Sequence, residues 1–339
     1  ANHNSEGEFP MAVTTYAGLS QRTTAYAAKE MLAHAEPILC LSKFGMTKPM
    51  PKNKANVIKF RRPVPLAVAT TPLTEGTTPT SQAITYEDVT VTLSQFGNVV
   101  EITDVVADLA EDPVLKDAAM LCGEQAGETI ETLMWGVIQG GTNVFYNNGA
   151  ARSAVNTAIT LVKQRAITRA IKAERGKKIT SMISSTVKYG TEAVAPAYIA
   201  FAHTDLESDI RELAGFTPTE KYGSMKALPY EIGKIEDVRY ILTPVLSSIA
   251  NAGGAKGSMV STGGTSADVY PVIYVAKDAY GHVALKGAEA ISPSIINPGQ
   301  LDKSDPLGQK GMVGWKTYHK SFIANQAWMA RLECAATAL

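Results

Sequence analysis

The sequence predicts an α+β fold, and three observations predict it. Apolar residues recur every three or four positions from Leu115 to Val137, the period of one long helix. Strict alternation appears at Val89, Val91 and Leu93 against Thr90, Thr92 and Ser94, and again from Trp328 to Cys334, which is the period of strand. After the turn Asn147-Asn148-Gly149, strand-like and helical stretches are mixed.

Taken in order, residues 1–19 are polar and punctuated by Gly and Pro, which predicts an extended arm. Ala27, Met31 and Ala35 share a face of a helix expected over 20–35, with Pro37 at its end. A loop rich in Lys, Pro and Met follows over 43–51. Asn56 to Arg62 reads as a strand, and the chain returns through Ala83 to Leu93. Between them lies a Pro/Thr stretch from Pro63 to Ser81, so the pair is a hairpin with an unusually long tip. A lone two-stranded ribbon is marginal in water, so this one requires cover from outside its own domain.

A strand at 98–103 leads to the long helix. Asp112 suits its N-cap and Pro113 its first position, while Gly140-Gly141 ends it. About 27 residues at ~1.5 Å each would span roughly 40 Å. Its small residues Ala118, Ala119, Gly123, Ala126 and Gly127 allow close packing. Further on, 158–174 is amphipathic, with Ile159, Val162, Ala166, Ala170 and Ile171 expected on the buried side. Strands are expected at 197–202, 238–242, 270–275 and 281–287, with a helix capped by Thr204 or Asp205 running to Ala214. Ser247 to Ser266 reads as a mobile Gly/Ser/Ala loop. Met312 to Phe322 and the alternating 328–334 are expected to form a closing pair of strands.

Bulk properties exclude several classes. With 45% hydrophobic and 19% charged residues the chain has ample material for a core. Its 32 basic and 32 acidic side chains cancel, so no global field recruits nucleic acid or an acidic membrane. Cys40, Cys122 and Cys334 are scattered and odd in number, against a disulfide framework or a thiolate metal site. No basic-then-apolar leader and no membrane-length apolar run is present, so a soluble, intracellular chain is expected.

Catalytic and cofactor motifs are missing too. His3, His34, His203, His282 and His319 form no H-E-x-x-H pattern. His203 with Asp205 and Glu207 is better read as capping a helix than as a metal site. Gly253 to Ser258 fails the phosphate-loop pattern because its Lys precedes the Gly. No G-x-S-x-G elbow exists. No catalytic residue, cofactor or metal is therefore expected. Lys163, Arg165, Arg169 and Lys172 give the 158–178 stretch a basic face, which could meet DNA, an acidic neighbour or only solvent.

Several stretches, taken together and in order, carry a family resemblance. They are Ala25 to Leu32 running into Pro37-Ile38-Leu39 and Lys43-Phe44-Gly45, then Val57 to Pro63, then Leu73-Thr74-Glu75-Gly76. Ile232 to Tyr240 follows, then Asp268 to Pro271 with Lys277 to Gly281, and finally Trp328 to Glu333. Over residues 25–336 the chain resembles the major capsid proteins typified by the podovirus N-four, which adopt the Hong Kong 97-type phage capsid fold. The resemblance implies an N-terminal arm (1–52) and an extended β-hairpin loop with its base (53–106). It implies a peripheral domain with a long spine helix (107–148 and 300–339) and an axial domain (149–299). It also implies that the ribbon lies across a neighbouring subunit.

The function implied is that of a structural coat protein, not an enzyme, self-assembling through hexamers and pentamers into an icosahedral head around double-stranded DNA. Phe60, Arg61, Arg62, Leu73 and Glu75 are the expected intersubunit contacts. Expected partners are the chain itself, portal, scaffolding and decoration proteins, and packaged DNA held weakly, with no membrane. Assembly in the bacterial cytoplasm is expected. Two rivals are an encapsulin-type shell protein and an α/β enzyme built on the region after Gly149.

Overall fold

The computed structural model describes residues 39–48, 50, 56–105, 114–183, 191–223, 225–284, 292–299 and 305–339. The extended arm expected at 1–19, the helix at 20–35, and the capping pair Asp112 and Pro113 lie outside them. Among the described residues, 97–105, 114–126, 292–299 and 305–316 form one compact unit and the rest another.

The strands are β1 (Met46–Thr47), β2 (Val57–Pro63), β3 (Tyr86–Thr92), β4 (Ser94–Thr103), β5 (Val144–Tyr146), β6 (Ile179–Ile183), β7 (Thr191–Ala202) and β8 (Thr217–Pro218). They continue with β9 (Glu231–Ile235), β10 (Val238–Leu242), β11 (Tyr270–Val275), β12 (Tyr280–Ala284), β13 (Ser292–Ile296), β14 (Lys310–Ile323) and β15 (Met329–Cys334). The helices are α1 (Val114–Ile138), α2 (Leu161–Ala173) and α3 (Glu207–Arg211). Helix and strand are thus combined as an α+β fold.

The larger unit is built on a sheet in the order β5-β15-β11-β7-β10-β9-β8, with β6 added on β7. Strands β10 and β7 run parallel, as do β15 and β5, while β11 is antiparallel to both its neighbours. Central strands buried on both faces read as continuous apolar runs. Val238 to Leu242 and Tyr270 to Val275 are such runs, and every residue in them is buried. The main core joins Ile167 and Ile171 of α2 and Ile210 of α3 to sheet residues such as Tyr240, Val272 and Leu332.

Of the residues expected on the buried side of 158–174, Ile159 and Ile171 are buried and Ala166 and Ala170 half-buried, and Val162 alone departs. Val162 is 74% exposed, and the inward residues are Gln164, Ile167, Thr168 and Ile171. The reason is polar. Gln164 donates to the Ile235 carbonyl and accepts from the Tyr240 hydroxyl, which also meets Tyr274 at 3.0 Å. A buried tyrosine requires a partner, and the glutamine supplies it. The helix expected over 205–214 is also shorter. A single 3-10 turn, Thr204–Leu206, precedes the five residues of α3.

The expected closing pair is corrected as well. β14 pairs with β12 and β13, whereas β15 lies between β5 and β11. Alternation along β15 reads correctly: Ala330, Leu332 and Cys334 join the main core. Its other face is covered too, because Glu333 is 0% exposed, so the strand belongs inside a sheet.

The 247–266 segment is held by a dense set of bonds. The Asp268 carboxylate accepts from the Asn251 and Thr262 amides and from the Thr262 hydroxyl. Those bonds keep its carboxyl below the usual range despite burial.

In the smaller unit the N-terminal half of α1 packs close to strand backbone. Ala118, Ala119 and Cys122 are buried, and the Cys122 thiol points at the Val313 carbonyl at 3.8 Å. Gln125 accepts from Asn98 and from the Trp315 indole. The helix stops where two glycines predict, with the Gly140 and Gly141 amides donating back to Val137 and Ile138.

Candidate assembly surfaces

The hairpin is the feature with the least cover. β2 and β3 pair from Val57 opposite Thr92 to Pro63 opposite Tyr86, and pair with no other strand among the described residues. Residues 64–85 form no helix or strand, and 65–85 are exposed throughout. Prolines at 63, 65, 72 and 79 deny the tip backbone donors, which keeps it out of a ladder. Gly76, at φ +78, makes the turn that the Thr77 amide closes onto the Thr74 carbonyl. Leu66, Val68, Leu73 and Ile84 are 56, 76, 78 and 62% exposed, an apolar load no soluble subunit needs for its own stability.

The expected contact residues divide into two groups. Leu73 and Glu75 sit at the exposed tip. Phe60, Arg61 and Arg62 sit at the base and already have partners in the same chain. The Phe60 ring stacks on Phe322 at 4.4 Å between centroids, with Lys48 over its other side, in a small core with Met50, Val91 and Val283. Arg61 forms a two-bond fork to Asp88 across the ribbon and lies over the Tyr86 ring, and Arg62 pairs with Glu87. These cross-strand ion pairs hold the ribbon's register.

The basic face on α2 is partly used. Arg165 pairs with Glu236, and Lys172 and Lys178 both pair with Asp237. Glu236 and Asp237 form the tight turn from β9 to β10, with Glu236 at φ +53, so these cations clamp that turn to the helix. Lys163 and Arg169 carry no ion pair among the described residues.

Other candidates resolve as structure. The cap is His203, not the expected Thr204 or Asp205: its side chain accepts from the Asp205 amide at the start of the 3-10 turn, and Asp205 accepts from Tyr270. Among the described residues no cluster of three metal-ligating side chains occurs, and no helix is long and apolar enough to cross a membrane. One feature was not read from the sequence. A cleft of about 590 Å³ runs between β4 and α1, lined by Val100, Ile102, Asp117, Leu121 and Gln125. Leu121, 58% exposed on the far side of the helix stripe, was its only signal.

The sequence matches the family described as phage capsid protein over residues 86–319, about two thirds of the chain. No curated protein matches it. Solved structures share its fold: the capsid of Ralstonia phage GP4 has a TM-score of 0.65 at 11% identity, covering 87% of this chain and 88% of that one. The cyanophage Pam1 capsid gives 0.61 at 13% identity, covering 91% and 93%. The head of Helicobacter pylori bacteriophage KHP40 gives 0.54 at 12%, covering 87% and 88%. These matches show a fold consistent with the Hong Kong 97-like capsid fold. The chain belongs to the phage capsid protein family and is a major capsid protein, a structural, non-enzymatic subunit of the virion head.

Proposed function

We propose that this subunit closes its shell through hexamers and pentamers, with the ribbon β2–β3 laid over a neighbouring copy. The observation that carries this is the tip at 65–85, exposed throughout and bearing Leu66, Val68, Leu73 and Ile84. Head-to-tail contacts of this kind generate closed rings, and many modest contacts per subunit act together. Leu73 and Glu75 make the contact itself. Arg61 and Arg62 keep the ribbon straight through Asp88 and Glu87 and present their outer edges to the neighbour.

In this reading residues 1–52 are the arm and 53–106 the extended loop, 107–148 with 300–339 the peripheral domain and 149–299 the axial domain. β5 and β15, from the peripheral segments of chain, then complete the axial sheet. The podovirus N-four type of the family rests on the ordered motifs from Ala25 to Glu333. Packaged double-stranded DNA would meet Lys163 and Arg169, weakly and without sequence preference. Portal, scaffolding and decoration proteins are the further partners, and assembly takes place in the bacterial cytoplasm.

Deleting Leu66 to Ser81 tests the reading. The expected product is a folded, soluble subunit, with the near-ultraviolet circular dichroism of the parent, that forms no shells under electron microscopy. Normal particles from the deletion would sink the assignment of the ribbon.

A further inference from the structure

The smaller unit leaves one strand edge open. β4 pairs with β14 along one side and, among the described residues, with no strand along the other. The lining of the cleft between β4 and α1 includes Val100, Glu101 and Ile102 in unbroken succession. Successive side chains of a strand point to opposite faces, so a cleft lined by all three reaches the strand's edge. β14 occupies the other edge, so this is the open one. The cleft, about 590 Å³, has the size of one that holds a ligand. On its walls Val100 and Leu121 stand 39 and 58% exposed. An unpaired edge with apolar flanks is a template for another strand, and stable subunits keep such an edge covered.

Uncovered apolar surface is concentrated in two places. Of fifteen large hydrophobic side chains exposed among the described residues, six lie on the ribbon from Val57 to Tyr86. Six more lie in the smaller unit: Val99, Val100, Val105, Leu121, Ile296 and Leu307. The ribbon also carries a segment suited to become a strand. Prolines 63, 65, 72 and 79 keep the tip out of its own ribbon's ladder, but Leu66 to Thr71 contains none, so six consecutive amides remain as donors. Leu66 and Val68 alternate there with Ala67 and Ala69, which puts the large side chains on one face of the extended segment. All six residues are exposed and belong to no strand. None is charged, so entering a cleft strips water from no ionised group of theirs.

We propose that residues 66–71 of a neighbouring copy add as a strand to the open edge of β4, with Leu66 and Val68 seated in the cleft against Val100 and Leu121. This rests on the reading that the ribbon lies over a neighbouring copy, and it assigns the place where the ribbon lands. Main-chain bonds along β4 supply affinity, and the two seated side chains fix the register. Every copy carries both the segment and the edge, so the contact is head-to-tail and propagates around a ring.

Paired cysteines joined by a short bismaleimide in assembled particles test the landing place, in a Cys122→Ser background that removes the thiol lining the cleft. Val68→Cys with Val100→Cys is expected to give a ladder of linked copies on a denaturing gel, and each single variant none. Val68→Cys with Val162→Cys, whose second site is exposed on α2, is expected to give none. A missing ladder from the first pair, an equal ladder from the second, or a link confined to single copies overturns the proposal. If the tip deletion abolishes shells while the first pair gives no ladder, the ribbon reading stands and only its landing place is wrong. Should the cysteine pair prevent assembly, hydrogen exchange of the parent decides. The 66–71 amides and the 98–102 amides not bonded to β14 are expected to slow together, by about tenfold or more, from free subunit to shell. Slowing at only one of the two segments, or at neither, overturns the proposal.

Discussion

Glu333 shows how much one buried charge can organise. Its side chain is 0% exposed near the end of β15, and Arg152 reaches it with a fork of two bonds at 2.8 and 2.7 Å. Arg331 Nε stands 3.0 Å away without hydrogen-bond geometry, so Arg152 supplies the directional part of the neutralisation. Arg152→Ala is expected to destabilise the subunit by about 2 kcal/mol, the low end for a broken buried pair, because Arg331 remains and Arg152 is partly solvated. Urea denaturation measures this, and adding Glu333→Gln should recover part of the loss by removing the orphaned charge. Phe60 belongs to the same scale. Half-buried and stacked on Phe322, it should cost about 2 kcal/mol when replaced by Ala, visible in the isolated subunit. Arg61→Ala and Arg62→Ala should leave that stability nearly unchanged, since both pairs are exposed. An assembly defect in the arginine variants would therefore report on contacts between subunits, and one in Phe60→Ala would not separate the two causes.

Among elements, β12 lies between two close neighbours. β1 runs parallel beside it, and a Cβ at Gly281 would lie 2.4 Å from the Met46 carbonyl oxygen. Gly281→Ala is expected to cost about 1–3 kcal/mol in thermal unfolding, because backbone must move to admit the methyl group. Next to it, His282 and His319 stack across β12 and β14 with ring centroids 5.7 Å apart. Burial holds His282 down to about 4, and burial with the neighbouring His282 and Lys320 charges holds His319 down to about 3. The unfolded imidazoles titrate near 6.5, so below that pH the unfolded chain binds more protons. The stability this pair contributes is complete above about 6.5 and is lost as pH falls towards 4 and then 3. Replacing both histidines by Gln should flatten that loss in a melting-temperature profile. Comparison with the parent isolates the pair.

For the whole molecule, the question is what covers the ribbon. Two strands with an exposed apolar tip gain little from their own hydrogen bonds, so an isolated subunit keeps this arm at a cost that only assembly recovers. The balance of 32 basic and 32 acidic residues fits the same picture, since copies must approach one another closely without net repulsion. The tip deletion is accordingly expected to abolish shells while leaving the subunit's melting temperature within about 2 °C of the parent, as no buried group is removed.

Much of this was legible in the sequence because it is local physics. The spine helix, its glycine stop, the alternation of β3 and the proline-rich tip follow from period and backbone chemistry alone. That a helical turn starts near 204, and the mismatch of 253–258 with a phosphate loop, followed from spacing, whereas His203 in place of Thr204 or Asp205 as the cap did not. Other features required the tertiary structure. Periodicity placed Val162 inward, but a glutamine was needed to accept from the buried Tyr240, and that need arises from a strand distant in the chain. Alternation identified β15 as a strand, yet its place between β5 and β11 depended on a buried glutamate finding an arginine at 152. Glu131 stands on the buried stripe with Ala126, Ile130 and Met134, a visible oddity in the helix pattern, but its partners are the amides of Cys40 and Leu41. Local preference and amphipathic period act within a turn or a strand, so the sequence alone determined the elements and the unpartnered ribbon. Which strands are neighbours, and which buried polar groups find each other, was decided only when distant segments had to share one core.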